Sequence, residues 1–186
     1  EGKDAINNAN RAERLLKRPQ LTNLVSAQAA EKFGDNKRAL KYYKRLLKND
    51  QTRFVGLQGL LKQKLLEGDT ETALLLAEKA FSIRPKHEQT LNILFDLQTE
   101  KLDWKGAQKT IKANVRAGKL PKDVGLRREA ILFLADAKEM LEAGEIDKGK
   151  AAAIAANKSS PDLIPAAILA AEMYMLENNK RSASRV

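Results

Sequence analysis

The residues able to do chemistry are few: one histidine (His87), no cysteine, and paired carboxylates at Glu67 with Asp69 and at Glu142 with Glu145. The lack of cysteine removes disulfides, thiolate zinc sites, iron–sulfur ligation and cysteine nucleophiles together. A lone histidine removes most metal-ligand and histidine-based catalytic sets, which need a second such residue or a carboxylate-rich substitute. As an axial ligand for a porphyrin, His87 would need an apolar slot beside it. It stands two residues after Pro85 among Lys86, Glu88 and Gln89, which reads as a solvated loop histidine. The carboxylate pairs have the composition for acid–base work. They recur at the same place in successive turns, however, where turn chemistry and helix N-capping account for them. With no nucleophile–base set to name, the expectation is a non-enzyme with no catalytic residue, metal or cofactor.

Positive charge is the stronger chemical signal. The formal net charge is +10, which favours acidic partners or an anionic surface. Lys37, Lys41, Lys44, Arg45 and Lys48 form one stripe at helical spacing, and Lys105, Lys109, Lys112 and Arg116 form another. Each set falls on one helix face, where it could meet phosphates of nucleic acid or lipid. No aromatic residue is interleaved to stack on bases, so nucleic acid is disfavoured and a solvated outer face is the simpler reading.

The elements that carry these residues are helices. Aromatic residues make up only 5% of the chain while Ala, Leu, Lys and Glu dominate, a usage that suits closely packed helices and argues against strands. Turn signals stand at Gly34-Asp35, Gly68-Asp69, Leu102-Asp103, Gly144-Glu145 and Asn178-Asn179, at spacings of 34, 34, 42 and 34 residues. The longer interval places an insertion at Lys119 to Gly125, where Pro121 and Gly125 mark a loop. Five residues after each turn come Ala39, Ala73, Ala107, Gly149 and Ala183, small enough for two helices to approach closely. Nine and twelve residues after come Tyr43 and Leu46, Ala77 and Ala80, Ile111 and Asn114, Ala153 and Ala156, of which only Asn114 is polar. Seven residues before each turn stand Ala27, Leu61, Phe95, Ala137 and Ala171. Pro85 and Pro161 lie equally far past their turns and stop the second helix of a pair. One period further back, Ala5, Ala9 and Ala12 fall in register.

These features predict one all-α solenoid over residues 1–186, a right-handed α–α superhelix of about five helical hairpins, some partial. A partial hairpin at 1–19 precedes repeats near 20–52, 53–86 and 87–119. A loop at 119–126, a repeat at 127–161 and a partial hairpin at 162–186 follow. Each hairpin is too small to bury its apolar stripe alone, so neighbours must stack.

A 34-residue repeat with these small and apolar positions resembles the tetratricopeptide family over nearly the whole chain. The early aromatic of the first helix is missing from most copies. Four stretches are similar to the bacterial HemY-type proteins: Ala27 to Asp35, Thr52 to Leu61, Leu94 to Gln98 with Asp103-Trp104, and Ser160 to Ala167. That resemblance implies a link to haem (tetrapyrrole) biosynthesis through genetic context, without an associated reaction. It also implies N-terminal membrane helices upstream of Glu1, an inner-membrane location, and a repeat domain facing the cytoplasm. A flavin-dependent oxidase that has shared the name would need a Gly-x-Gly-x-x-Gly turn, which is absent; Gly56 and Gly59 read as close helix packing. No run of about 18 apolar residues capable of spanning a bilayer occurs in this sequence.

By the same resemblance, the first helix of each hairpin lines a concave groove, presenting Leu24, Gln28, Gln58, Lys62, Asn92, Asp96, Leu134 and Lys138. Chaperone-binding members clamp a peptide carboxylate with Lys and Asn. Leu24 and Gln28 stand there instead, so chaperone tails are disfavoured and an extended segment or a folded partner is expected. The leading expectation is a membrane-tethered adaptor that gathers haem-pathway enzymes. The alternatives are a general peptide-binding module, a basic surface for nucleic acid or anionic lipid, and, more weakly, direct haem binding through His87.

Overall fold

The computed structural model describes residues 19–186 together with Asp4, Asn7, Asn8 and Arg11, and the described residues are helical with no strand. Ala5, Ala9 and Ala12 of the first predicted partial hairpin lie outside the described residues. The chain divides into two compact units, residues 1–93 and 94–186.

Unit 1 contains α1 (Pro19–Lys32), α2 (Asn36–Leu46), α3 (Asp50–Leu66) and α4 (Thr70–Ile83). The division falls inside α5 (Glu88–Glu100). Unit 2 continues with α6 (Trp104–Arg116), α7 (Lys122–Glu142), α8 (Ile146–Ser159), α9 (Ile164–Leu176) and the single turn α10 (Lys180–Ala183). Helices adjacent in sequence pack on one another within each unit, α1 on α2, α2 on α3 and α3 on α4 in the first, α6 on α7, α7 on α8 and α8 on α9 in the second.

One turn device ends the first helix of each hairpin. At Gly34 the chain takes φ +75°, the Asp35 N–H reaches back to the Ala30 carbonyl at 2.8 Å and the Gly34 N–H to the Glu31 carbonyl at 3.0 Å. This is the Schellman closure, which satisfies carbonyls that the helix end leaves open. The residue after the turn then caps the next helix. Asp35, Asp69, Asp103 and Asn179 each accept a hydrogen bond from the backbone N–H three residues on. Glu145 holds the same place without that bond and pairs with Lys148 at 2.7 Å.

Leu102 and Asn178 adopt the same left-handed conformation, at φ 58° and 57°, without being glycine. Leu102 carries a Cβ penalty there, and its side chain is 56% exposed, so it recovers little by burial. Leu102→Gly is therefore expected to stabilise the protein by on the order of 1 kcal/mol in urea unfolding, a reversal of the usual glycine effect.

Asp69 accepts from the Thr72 N–H at 3.1 Å and pairs with Lys64 at 3.0 Å. Those bonds, the Thr72 backbone first, hold its carboxyl down to about 2 against an ordinary 3.8. A depressed carboxyl adds stability that is complete above the unfolded value and is lost as pH falls through the folded one. The stability difference between wild type and Asp69→Asn should thus be present at neutral pH, shrink below about pH 4, and approach zero only below about pH 2.

The small residues sit where hairpins close. Ala39, Ala73 and Ala107 are fully buried, as are Ala77, Ala80, Ala153 and Ala156. In unit 1 they pack with Tyr43, Leu46 and Leu60, and with Phe54 and Leu57. In unit 2, Ile111 and Leu132 form one cluster and Ala137, Ala152, Ala153 and Met173 another. Asn114 is buried at its position as well. The expected loop at 119–126 is corrected. Only the residues up to Pro121 lie outside helix, and Pro121 precedes the first turn of α7. Gly125 is buried within α7, where an added Cβ would stand 2.4 Å from Val115 Cγ2, so this glycine allows a helix contact rather than marking a loop. The extra residues of the long interval thus lengthen α7 to 21 residues.

Candidate functional site

A groove of about 450 Å³ opens in unit 1. Four helices build it, and helical spacing sets which residues each one gives. Leu24 and Gln28, four apart, come from α1; Gln58, Lys62 and Leu65 from one face of α3; and Gln89 and Ile93, four apart, from the start of α5. Val55, Leu66 and Thr90 add to the lining, as does Tyr43 from α2.

Its floor depends on a missing side chain. The Tyr43 ring from α2 lies against Gly59 of α3, so closely that a Cβ there would stand 2.2 Å from the ring. The Tyr43 hydroxyl donates to Glu31 Oε2 at 2.6 Å, and the Lys62 ammonium pairs with the other oxygen of the same carboxylate. Burial pushes the Tyr43 hydroxyl up, and the neighbouring Glu31 carboxylate pushes it further, so it stays a donor. Burial acts to raise the Glu31 carboxyl, but the bonds from Lys62 and Tyr43 outweigh it and hold it below its ordinary value. The wall is therefore a neutral ion pair, and the groove is lined by three carboxamides (Gln28, Gln58, Gln89) over apolar side chains.

His87 stands in the loop before α5, as expected, but it is half-buried and partnered rather than solvated, which corrects that part of the expectation. It precedes α5, its ring nitrogen Nδ1 accepts from the Thr90 N–H at 3.3 Å, and Thr90 Oγ1 stands 3.0 Å away. The Gln58 amide lies 3.3–3.4 Å from both ring nitrogens, and the ring meets Phe54 edge-on at 5.0 Å. His87 thereby ties together two groove-lining residues, Gln58 and Thr90. The signal was out of reach of local sequence, because Phe54 and Gln58 lie on a different helix.

Of the eight groove residues expected, Leu24, Gln28, Gln58 and Lys62 come together in this cavity. Asn92 is exposed on α5, and it is Gln89 and Ile93 that face the groove instead. Asp96 is exposed, and in unit 2 Leu134 is half-buried and Lys138 exposed on α7. Unit 2 has its own concavity of about 330 Å³, bordered by Trp104, Lys105, Asp136 and Glu139. There the Trp104 indole N–H donates to Glu139 Oε2 at 2.6 Å. Burial raises the Asp136 carboxyl, Lys105 opposes this, and Glu139 adds to it.

The two basic stripes differ. Lys37, Lys41, Lys44 and Arg45 on α2 and Lys48 in the turn after it are all exposed. On α6, Lys105, Lys109, Lys112 and Arg116 are exposed too, but Lys112 pairs with Glu129 at 2.8 Å and Lys105 faces Asp136. Among the described residues no group of three or more His, Asp or Glu side chains is placed to hold a metal ion, and no helix is long and apolar enough to cross a membrane.

No family model and no curated protein matches the chain. Solved structures do. The protein MamA superposes with a TM-score of 0.51 at 16% identity, covering 91% of this chain and 88% of its own. YrrB, described as a TPR protein with an unusual peptide-binding site, superposes with a TM-score of 0.50 at 16% identity, covering 94% and 86%. At this identity the likeness shows the fold, which is the all-helical, tetratricopeptide-type arrangement of hairpins.

Proposed function

We propose that the chain is a non-catalytic protein-binding module whose unit 1 groove holds an extended peptide segment. The observation that carries this reading is the lining of the groove. Gln28, Gln58 and Gln89 each offer a donor and an acceptor, which suits the alternating N–H and C=O of an extended backbone. Leu24, Val55, Leu65 and Ile93 between them give apolar side chains a place to bury. A cavity of about 450 Å³ accepts a few side chains of a strand-like segment. The fold is shared with YrrB, which is described as having a peptide-binding site, and this supports the reading by analogy only.

The finer reading is an adaptor for haem-pathway enzymes at the bacterial inner membrane, with its repeat domain on the cytoplasmic side. It rests on the four sequence stretches similar to HemY-type proteins. His87 as a haem ligand is disfavoured, because its Nδ1 already accepts from Thr90 and its ring is packed on Phe54.

The test is selection of linear peptides from a random display library, followed by affinity measurement on wild type and on Gln28→Ala/Gln58→Ala. Loss of about tenfold or more in the double variant is expected. Equal affinity for both proteins would refute the groove. Lys62→Glu is a poor probe, since it sets a second carboxylate against Glu31 and disturbs the wall itself. Capture from a bacterial lysate with the same pair of proteins tests the finer reading. Groove-dependent recovery of tetrapyrrole enzymes supports it, and groove-dependent recovery of unrelated proteins leaves a general module.

A further inference from the structure

We propose that the exposed face of α2, with Phe33 at its N-terminal end, docks the chain onto an anionic lipid surface, a role distinct from the groove. From residue 36 to residue 49 the sequence holds six cations and no acid. Arg38 is paired with Asp35 at 3.2 Å, and Arg45 lies 5.4 Å over the Tyr42 ring. Among the described residues no ion pair engages Lys37, Lys41, Lys44 or Lys48. Helical rise spreads Lys37 to Arg45 over about 12 Å, a row of unneutralised charge within a Debye length of any surface it touches. The corresponding stripe on α6 is neutralised at Lys112, which pairs with Glu129. The α2 face is therefore unlike the other basic face in the molecule.

The opposite side of α2 is committed to the interior, since Ala39, Tyr43 and Leu46 are buried. The helix therefore cannot roll its apolar side outward, and contact must be made through its cations. Apolar contact comes from the turn instead. Phe33 is 47% exposed beside exposed Lys32 and four residues before Lys37.

An exposed aromatic ring flanked by lysines suits the headgroup–acyl boundary, where each lysine adds attraction to anionic lipid and the ring can dip in. Duplex nucleic acid would leave Phe33 without a role. Specific phosphate recognition would call on arginine forks, and both arginines of α2 are already engaged.

Co-sedimentation with vesicles tests this directly. Vesicles of phosphatidylcholine with about 30% phosphatidylglycerol should bind the chain at low salt, and phosphatidylcholine alone should not. Raising salt from about 50 to about 300 mM should weaken binding at least about tenfold. Lys41→Glu/Lys44→Glu/Lys48→Glu should lose about 100-fold or more, with circular dichroism unchanged because all three side chains are exposed. Phe33→Ser should cost a further few-fold while leaving the salt dependence intact. Equal binding to both vesicle types, or an unaffected triple variant, would overturn the proposal. So would tighter binding to duplex DNA that ignores Phe33→Ser. Peptide binding in the groove should survive the triple variant, so failure of one reading is distinguishable from failure of the other.

Discussion

Gly59→Ala lowers the stability of the protein by about 1–3 kcal/mol, although alanine is the better helix former. The added methyl would stand 2.2, 2.3 and 2.4 Å from three atoms of the Tyr43 ring. The ring has little freedom to yield. It is buried, and its hydroxyl is held by Glu31, which is itself held by Lys62. In a Tyr43→Ala background the clash is gone, and the same Gly59→Ala change should become stabilising by about 0.5–1 kcal/mol, the ordinary helix preference. Urea unfolding of the four proteins checks both signs. An additive cycle, with Gly59→Ala equally costly in both backgrounds, would mean that the ring is not what the glycine makes room for. The same substitution should also weaken peptide binding, since Tyr43 and Gly59 form part of the groove lining.

The second large effect is expected at Leu46, which is 1% exposed and among the largest fully buried side chains. Leu46→Ala should cost about 2–5 kcal/mol. The upper half of that range is expected, because the site resists collapse. One wall is the α3 backbone at Gly56, where an added Cβ would stand 3.1 Å from Leu46 Cβ and 2.8 Å from the Tyr43 carbonyl. Backbone that already touches cannot close further to fill a void. A loss of this size is a large fraction of the 5–15 kcal/mol typical of a domain. The midpoint in urea should fall sharply, while an exposed change such as Lys44→Ala should leave it nearly unmoved.

The helical hairpins were legible because the repeat is written in spacing as well as in residue type. Glycine alone would have missed two of the five turns. Leu102 and Asn178 take the left-handed conformation in the same register as Gly34, Gly68 and Gly144, and only the interval pointed to them. The alanines at the closing positions were equally readable, since a position that must be small in every copy leaves a periodic mark. The α7 start was not. Pro121 and Gly125 look like loop residues in isolation. Gly125 makes sense in a helix only once Val115 is known to press against it.

The candidate site was half legible for the same reason. Leu24, Gln28, Gln58 and Lys62 followed from the register of the first helices once the tetratricopeptide resemblance assigned those helices to a groove. Tyr43 and Gly59 were read as packing residues, which they are, yet the same contact shapes the groove floor. His87 was misread because its neighbours in sequence are polar, while its partners Phe54 and Gln58 sit on α3. The Glu31–Lys62–Tyr43 cluster joins three helices, and no local pattern announces it.

The central claim is that an extended peptide lies in the unit 1 groove, and chemical-shift mapping by NMR with a peptide selected on the protein tests it most directly. The largest backbone and side-chain shifts should cluster at Gln28, Val55, Gln58, Thr90 and Ile93, and should vanish in Gln28→Ala/Gln58→Ala. Shifts confined to the exposed face of α2, or to Asp136 and Glu139 of unit 2, with Gln28 and Gln58 unmoved, would contradict it.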